Sequence, residues 1–376
     1  MSKIKVLYII RRAEGGMKKH LLSILNMMDM NKYMVAVACH FDKKTKEDLR
    51  CKDINVYDVD ILDNINLKAD IYSIMELKHA INVFAPDIVH IHGAKASLVG
   101  RIACMGKKCK IVVTVHNFPG YDKMHPLKRD VYLFINKYLN KRTSQFIAVS
   151  DALKNEIIKY EGIEENKIKT IYNCIDNSTY KINSNLNLRK EFNLPAESLI
   201  VGSAARLIPS KGIQDLVNAA NLLRDINNLY FIVAGDGPMM PELKKMVNYH
   251  KLDNFIFTGF RDDIPDFLRN LDIFVLPSHQ EGFGLSIIEA MFQDKPVIAT
   301  NVGGIPEILK NSSYGIIINA GDVNALSKYI KKLVNDSELR KKLSQFGKEY
   351  VINKFSCEKM YREIDSIYEN LTRLNL

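Results

Sequence analysis

Short runs of β-branched and aliphatic residues alternate with helical patterns almost from end to end of this 376-residue chain, and nothing constrains its fold more. Strands are expected over 4–10, 33–39, 54–59, 88–92, 111–116, 146–149 and 168–172, with helices near 17–28, 67–84, 95–105, 126–141 and 151–160. Strands separated by helices of this length imply βαβ units and a parallel sheet. A polar stretch then interrupts the pattern, with Asn173, Asn177, Ser178, Thr179, Asn183, Ser184 and Asn185. The alternation restarts with strands over 199–204, 229–234, 254–257, 273–276, 296–300 and 315–318, and after Gly321 and Asp322 the chain turns helical. The chain is also longer than one core usually fills. The expected architecture is α/β: two facing Rossmann-like parallel-sheet domains over 1–178 and 179–355, joined by a linker near 177–187, with residues 356–376 as a last helix. Ligands in such sheets bind outside the carboxyl ends of the strands.

Composition narrows the class. No apolar run approaches the ~20 residues a membrane helix needs, and the strand at 4–10 follows Met1 with no signal-peptide layout. Six scattered cysteines, with no Cys-x-x-Cys pair, suggest free thiols and a cytoplasmic protein. The formal net charge of +10 is uneven. Residues 1–180 hold 29 basic side chains against 20 acidic ones, and residues 95–143 hold 11 against two. Inside that window Leu127, Val131, Phe134, Ile135, Tyr138 and Leu139 recur at helical spacing, with Lys128, Arg129, Lys137, Lys141 and Arg142 between them. A basic amphipathic helix suits an anionic membrane surface or a lipid-phosphate acceptor. The bland alternative is a surface helix packed on its own domain. Basic charge alone would also suit nucleic acid, but no zinc finger or RNA-binding motif is present.

The chemistry concentrates in Glu281-Gly282-Phe283-Gly284-Leu285-Ser286-Ile287-Ile288-Glu289. A strand, a glycine-rich turn and a helix start follow one another here. Free backbone N–H groups and the positive end of the helix dipole then suit an anion. A carboxylate can accept two hydroxyl protons from a sugar diol, so a glutamate at each end suggests phosphate on the turn and a sugar on either side. An isolated glutamate is ordinarily a solvated charge; two of them bracketing glycines at a strand-to-helix switch are harder to dismiss. Other loops after strands fit the same chemistry. Gly15-Gly16 enters the first helix, and Gly235 lies in the turn Gly235-Asp236-Gly237-Pro238. Arg206 and Lys211 could grip a diphosphate, Arg as a fork and Lys as a point charge. His116 ends a buried strand beside Pro119-Gly120 and could donate to a sugar or phosphate. His90, His92 and His116 have no carboxylate or thiolate at ligand spacing, so no metal is expected.

Taken in order, from Val6 to about Tyr361, these segments resemble the retaining glycosyltransferases of family 4, the "group 1" nucleotide-sugar transferases of GT-B fold. The Glu281…Glu289 motif carries most of that resemblance, supported by Arg206…Lys211, Gly235-Asp236-Gly237-Pro238 and Gly303-Gly304. The resemblance implies an acceptor-binding first domain, a nucleotide-binding second domain and a final helix crossing back. It implies that Glu289 holds the ribose and Glu281 the donor sugar, while Arg206 and Lys211 neutralise the diphosphate. N–H groups of Gly15, Gly16, Phe283, Gly284 and Leu285 would assist, and His116 would lie near donor and acceptor. No cofactor is required beyond the nucleotide-diphosphate sugar, a UDP-sugar by expectation. The acceptor would be a glycan or a polyprenyl-diphosphate-linked glycan, with peripheral contact at the inner membrane face and no nucleic acid. The chain departs from the family pattern at Asn173-Cys174-Ile175-Asp176, where Asn-Gly-x-Asp is usual. The nearest alternatives are a nucleotide-sugar 2-epimerase of the same fold and a transferase with a small soluble or glycolipid acceptor.

Overall fold

The computed structural model describes residues 3–12, 15–63, 66–118, 120–121, 124–176 and 186–373, leaving aside the side chains of 128 and 373. Most of the expected linker, 177–185, lies outside the described residues, and so does the boundary placed at 178/179. The chain divides into two compact units, one formed by Met1–Asn173 with Cys357–Leu376 and the other by Cys174–Ser356.

The first unit is built on β1 (Ile4–Ile10), β2 (Tyr33–Ala38), β3 (Asn55–Tyr57), β4 (Ile88–His92), β5 (Lys110–Val115), β6 (Gln145–Ala148) and β7 (Ile168–Thr170). Its helices before the linker are α1 (Gly16–Met27), α2 (Lys43–Arg50), α3 (Leu67–Phe84), α4 (Ala94–Ala103), α5 (Pro126–Asn140) and α6 (Asp151–Glu161). The strands lie in the order β3-β2-β1-β4-β5-β6-β7, and every pairing is parallel. The strand order reverses between β1 and β4, where Ile10 sits opposite His92. A crevice at the carboxyl ends of such neighbours is the usual ligand position in open α/β sheets.

The second unit repeats the plan with β8 (Leu199–Ala204), β9 (Leu229–Ala234), β10 (Phe255–Gly259), β11 (Ile273–Leu276), β12 (Val297–Thr300) and β13 (Ile316–Ile318). Their order is β10-β9-β8-β11-β12-β13, so the reversal falls between β8 and β11. The helices are α7 (Leu188–Glu191), α8 (Ile213–Leu222), α9 (Met240–Tyr249), α10 (Ile264–Arg269), α11 (Leu285–Phe292), α12 (Ile305–Ile308), α13 (Val323–Asn335) and α14 (Ser337–Lys354). β11 is buried along its whole length, as expected for a central parallel strand covered on both faces. Gly202 on β8 is required by packing: a Cβ there would sit 2.4 Å from the Leu271 side chain.

The last helix, α15 (Cys357–Arg373), belongs to the first unit. Met360, Ile364, Ile367 and Tyr368 are its buried face. Polar groups fix its register. Lys32 Nζ reaches Asp365 and Glu369, each at 2.7 Å, and the Tyr33 hydroxyl donates to Asp365 at 2.5 Å. The Tyr368 hydroxyl donates to that of Tyr8 at 3.0 Å and meets His90 Nδ1 at 2.5 Å.

Three features differ from the sequence-based expectation. Helices α2, α7 and α10 form where none was expected. α2 carries one buried residue, Leu49, and α7 and α10 span four and six residues, so none presents a long apolar period. Cys174 and Cys357 are disulfide-bonded, while Cys39, Cys51, Cys104 and Cys109 are free thiols. The expectation of free thiols throughout is corrected: neither bonded cysteine has another within a turn of sequence, so spacing gave no sign. Leu139, grouped by period with an outward apolar stripe, is buried.

Candidate active site

In the second unit, the carboxyl ends of β8 and β11 bring the expected residues to one place. β11 ends at Leu276, and the chain continues through Pro277, Ser278 and His279 to Glu281. This loop is stapled to the turn before α8. The His279 and Gln280 N–H groups both donate to the Ser210 carbonyl, at 2.8 and 3.1 Å. Gly212, at φ 65°, lets the two loops touch: a Cβ there would lie 1.9 Å from the Pro277 carbonyl oxygen. Gly212→Ala should therefore cost about 2 kcal/mol or more of stability, from strain plus that clash. Thermal unfolding of the variant measures it, and an unchanged midpoint would show that the loops can part freely.

The stapling places Lys211 Nζ 2.6 Å from Glu281 Oε2. Ser278 Oγ donates to the same carboxylate oxygen at 3.4 Å, and Thr300 Oγ1 donates to the Ser278 carbonyl at 2.5 Å. A neighbouring pair, His279 Nε2 and Asp215 Oδ2, lies at 2.6 Å. Sequence reading missed this pair, because its members are 64 residues apart and neither stands in a recognisable motif.

Gly284, at φ 107°, forms the N-cap of α11 and turns the chain into the helix. Phe283 turns its ring inward, 2% exposed, against Phe355 with centroids 5.5 Å apart. Its backbone is thus what the loop can offer a ligand. Glu281 is 9% exposed and Glu289, on α11, is 4% exposed. The bland reading of two solvated glutamates is incompatible with that burial, since carboxylates are rarely buried without a specific partner.

Two other expected loops lie at the same edge of the sheet. Gly235, at φ 141°, packs under β8, where a Cβ would stand 1.9 Å from the Ala205 carbonyl. Its glycine identity is thus explained by packing. Arg206 follows β8 and is solvent-exposed. Among the described residues it makes no ion pair, whereas Lys211 is joined to Glu281.

In the first unit, Gly15 caps α1 at φ 76° and ψ −140°, with open space where a side chain would be. Gly16 is the first residue of α1. His116 follows β5, buried beside His20 of α1 and His92 of β4. His92 Nδ1 lies 3.2 Å from His116 Nε2, and the His20 ring meets the His116 ring edge-on at 4.8 Å. Burial is the main cause holding all of these imidazoles neutral: His20 is lowered to about 4, and His90, His92 and His116 fall well below the ordinary value. His116 is therefore a neutral hydrogen-bonding group near pH 7. His20, His92 and His116 each bring a ring nitrogen within 4.8 Å of the others, which is within reach of one divalent ion. Among the described residues His92 Nε2 has no hydrogen-bond partner.

The basic helix α5 runs beside this sheet. Lys137 falls in its last turn, Lys141 caps it and Arg142 follows; the Lys128 side chain lies outside the described residues. Arg129 makes a 3.4 Å contact with Asp130.

Two parallel Rossmann-like units, each with candidate ligand groups at the carboxyl ends of its strands, define the class of the fold: α/β, on the GT-B plan. Residues 14–179 match the family model described as Glycosyltransferase Family 4, and residues 184–350 match Glycosyl transferases group 1. The chain belongs to this glycosyltransferase family. It is 30% identical to the UDP-Gal:alpha-D-GlcNAc-diphosphoundecaprenol alpha-1,3-galactosyltransferase of Escherichia coli, over 81% of each chain. It is 28% identical to the capsular polysaccharide biosynthesis glycosyltransferase CapM of Staphylococcus aureus, over 86% of this chain and 88% of that one. It is also 30% identical to the N-acetyl-alpha-D-glucosaminyl L-malate synthase of Bacillus anthracis, over 76% and 75%. The fold is shared with Anabaena HepE, solved with UDP and glucose, at a TM-score of 0.84 and 23% identity, covering 98% of this chain and all of that one.

Proposed function

We propose that the protein transfers a sugar, with retention, from a UDP-sugar to a polyprenyl-diphosphate-linked glycan during assembly of a cell-surface polysaccharide. The observation that carries this reading is the buried Glu281, paired with Lys211 at 2.6 Å, one turn before a helix that carries a second buried glutamate, Glu289. Cleaving the bond between the anomeric carbon and the diphosphate builds negative charge on the leaving group. Lys211, held by Glu281, supplies a fixed cation for it and exposed Arg206 a second, and the N–H groups at the start of α11 add an oriented dipole, which lowers such a barrier. With two cations assigned to the diphosphate, the reading calls for no metal there. Glu281 takes the donor-sugar hydroxyls and Glu289 the ribose hydroxyls. His116, neutral, is assigned a hydrogen bond to donor or acceptor, and the N–H groups of Gly15 and Gly16 are the first unit's candidates for phosphate. Retention follows from attack on the leaving-group face, since no protein nucleophile is assigned to the sugar.

The similarity to the E. coli galactosyltransferase, whose acceptor is a diphosphoundecaprenol glycan, supports the lipid-linked acceptor. Among the described residues no helix is long and apolar enough to cross a membrane, so reaching that acceptor calls for peripheral contact at an anionic leaflet, for which α5 is the candidate. The similarity to the glucosaminyl malate synthase favours a second reading, with a small soluble acceptor.

A thermal-shift panel of UDP-, GDP-, ADP- and dTDP-sugars tests the donor. A ligand at about 100 times its Kd adds roughly 2.7 kcal/mol of stability, and UDP-sugars should give the largest rise. Glu289→Ala should weaken UDP binding about a hundredfold, as expected for losing charged hydrogen bonds to two hydroxyls. Wild-type affinity in that variant, or no response to any UDP compound, would remove the donor assignment. Incubation with UDP-sugars and diphosphoundecaprenol-linked sugar or malate then separates the two acceptor readings.

A further inference from the structure

Helix α5 carries most of its large apolar side chains on the outside. Its inner face is mixed, with Leu139 buried beside Asn136 and Tyr132 and Leu133 half-buried. Arg101 of α4, itself buried, donates through Nη2 to Asn136 Oδ1 and through Nη1 to Asn140 Oδ1, both at 2.6 Å. That network seats α5 and turns Leu127, Val131, Phe134, Ile135 and Tyr138 outward as one exposed stripe, with Leu127 at 70% and Phe134 at 76% of full exposure. An apolar stripe left in water on a helix that had a buried face available marks an interaction surface.

Beside the stripe, the last turns of α5 and the end of α6 enclose a groove of about 660 Å³. Phe134, Lys137 and Lys141 line one wall, and Lys159, Tyr160 and Lys167 the other. The groove's acidic groups are engaged: Asn140 donates to Glu161 at 2.9 Å and the Tyr121 hydroxyl donates to Glu161 as well, Glu164 stands 3.7 Å from Lys167, and Asp130 stands 3.4 Å from Arg129. Among the described residues, Lys137, Lys141 and Lys159 make no ion pair. The helices after β5 and β6 run back from the carboxyl edge of the sheet, so the groove opens near the amino edge. It is a different place from the strand-end loops assigned to catalysis.

We propose that this groove binds the phosphodiester headgroup of an anionic phospholipid while the α5 stripe lies among the acyl chains. Phe134 belongs to both surfaces, so one lipid can satisfy cations and apolar side chains together. A soluble phosphate or a nucleic acid would leave the stripe in water. This inference deepens the membrane contact proposed above and rests on it.

The test uses co-sedimentation of the full chain with phosphatidylcholine vesicles, with and without phosphatidylglycerol. The wild type should sediment only with the anionic vesicles. Lys159→Glu with Lys167→Glu should weaken binding about thirtyfold, since each basic group near such a surface is worth about a factor of five. Lys43→Glu with Lys44→Glu, on α2, makes the same change in net charge and should weaken it far less. Equal losses in both pairs would mean diffuse attraction and overturn the groove. Loss in Leu127→Ser with Phe134→Ser, beside unchanged binding in the Lys159/Lys167 pair, would keep the membrane contact and reject the groove. No binding by the wild type would overturn both. Duplex DNA displacing the protein from vesicles through the same two lysines would reject the lipid as occupant. Unchanged circular dichroism and UDP-induced thermal shift establish that each variant is folded.

Discussion

Replacing Lys211 with alanine is expected to lower turnover by about two to three orders of magnitude, the usual consequence of removing one fixed group that stabilises transition-state charge. Lys211 sits in the turn before α8, which Gly212 allows to press against the Pro277 carbonyl. Its ammonium is already positioned, 2.6 Å from Glu281, so little reorganisation is needed as the leaving group gains charge. The change has a second consequence. Glu281 loses its cation while keeping little solvent, and stability should fall by about 1–2 kcal/mol, discounted because both side chains retain some exposure. The two effects separate experimentally. Steady-state kinetics should show kcat falling with a smaller change in donor KM, and urea unfolding reports the structural part. A kcat within a few-fold of wild type would remove Lys211 from the leaving group, whatever the stability did.

Acid should destabilise the first unit. His20 has its pKa lowered by burial from 6.5 to about 4, and His90, His92 and His116 shift in the same direction for the same reason. Below about pH 6.5 the unfolded chain takes up protons that the folded one refuses, so stability falls as pH falls. The contribution is fully present above the unfolded value and is lost progressively down to the folded one. For His20 alone the loss is about 2 kcal/mol by about pH 5. Urea unfolding followed by circular dichroism between about pH 7.5 and about pH 5 measures it. His20→Asn should flatten the slope by that amount. A slope identical to wild type would mean that His20 is not held neutral in the folded protein.

Much of this architecture was legible in the chain because its signals are local. The run 273–276 is apolar on both faces, as a covered parallel strand requires. Gly284 before an apolar helix start marked the α11 turn. Helices α2, α7 and α10 were missed because a short helix held by one or two buried residues shows no period. The outward stripe on α5 was legible as a pattern, but its direction was not. Leu139 stands about 140° round the helix from Phe134 and is buried on the inner face beside Asn136, which Arg101 holds.

The same division applies to the site. Sequence alone determined two parallel α/β sheets, the strand-to-helix turns that can hold an anion, and the Glu281…Glu289 spacing, since each depends on residues within a few positions of one another. Tertiary structure decided that Lys211 meets Glu281, that His279 meets Asp215, that three histidines from separate elements share one buried cluster, and that the cations of α5 and α6 line one groove. Those pairings depend on strand order, and a parallel sheet places side by side strands that lie dozens of residues apart in the chain.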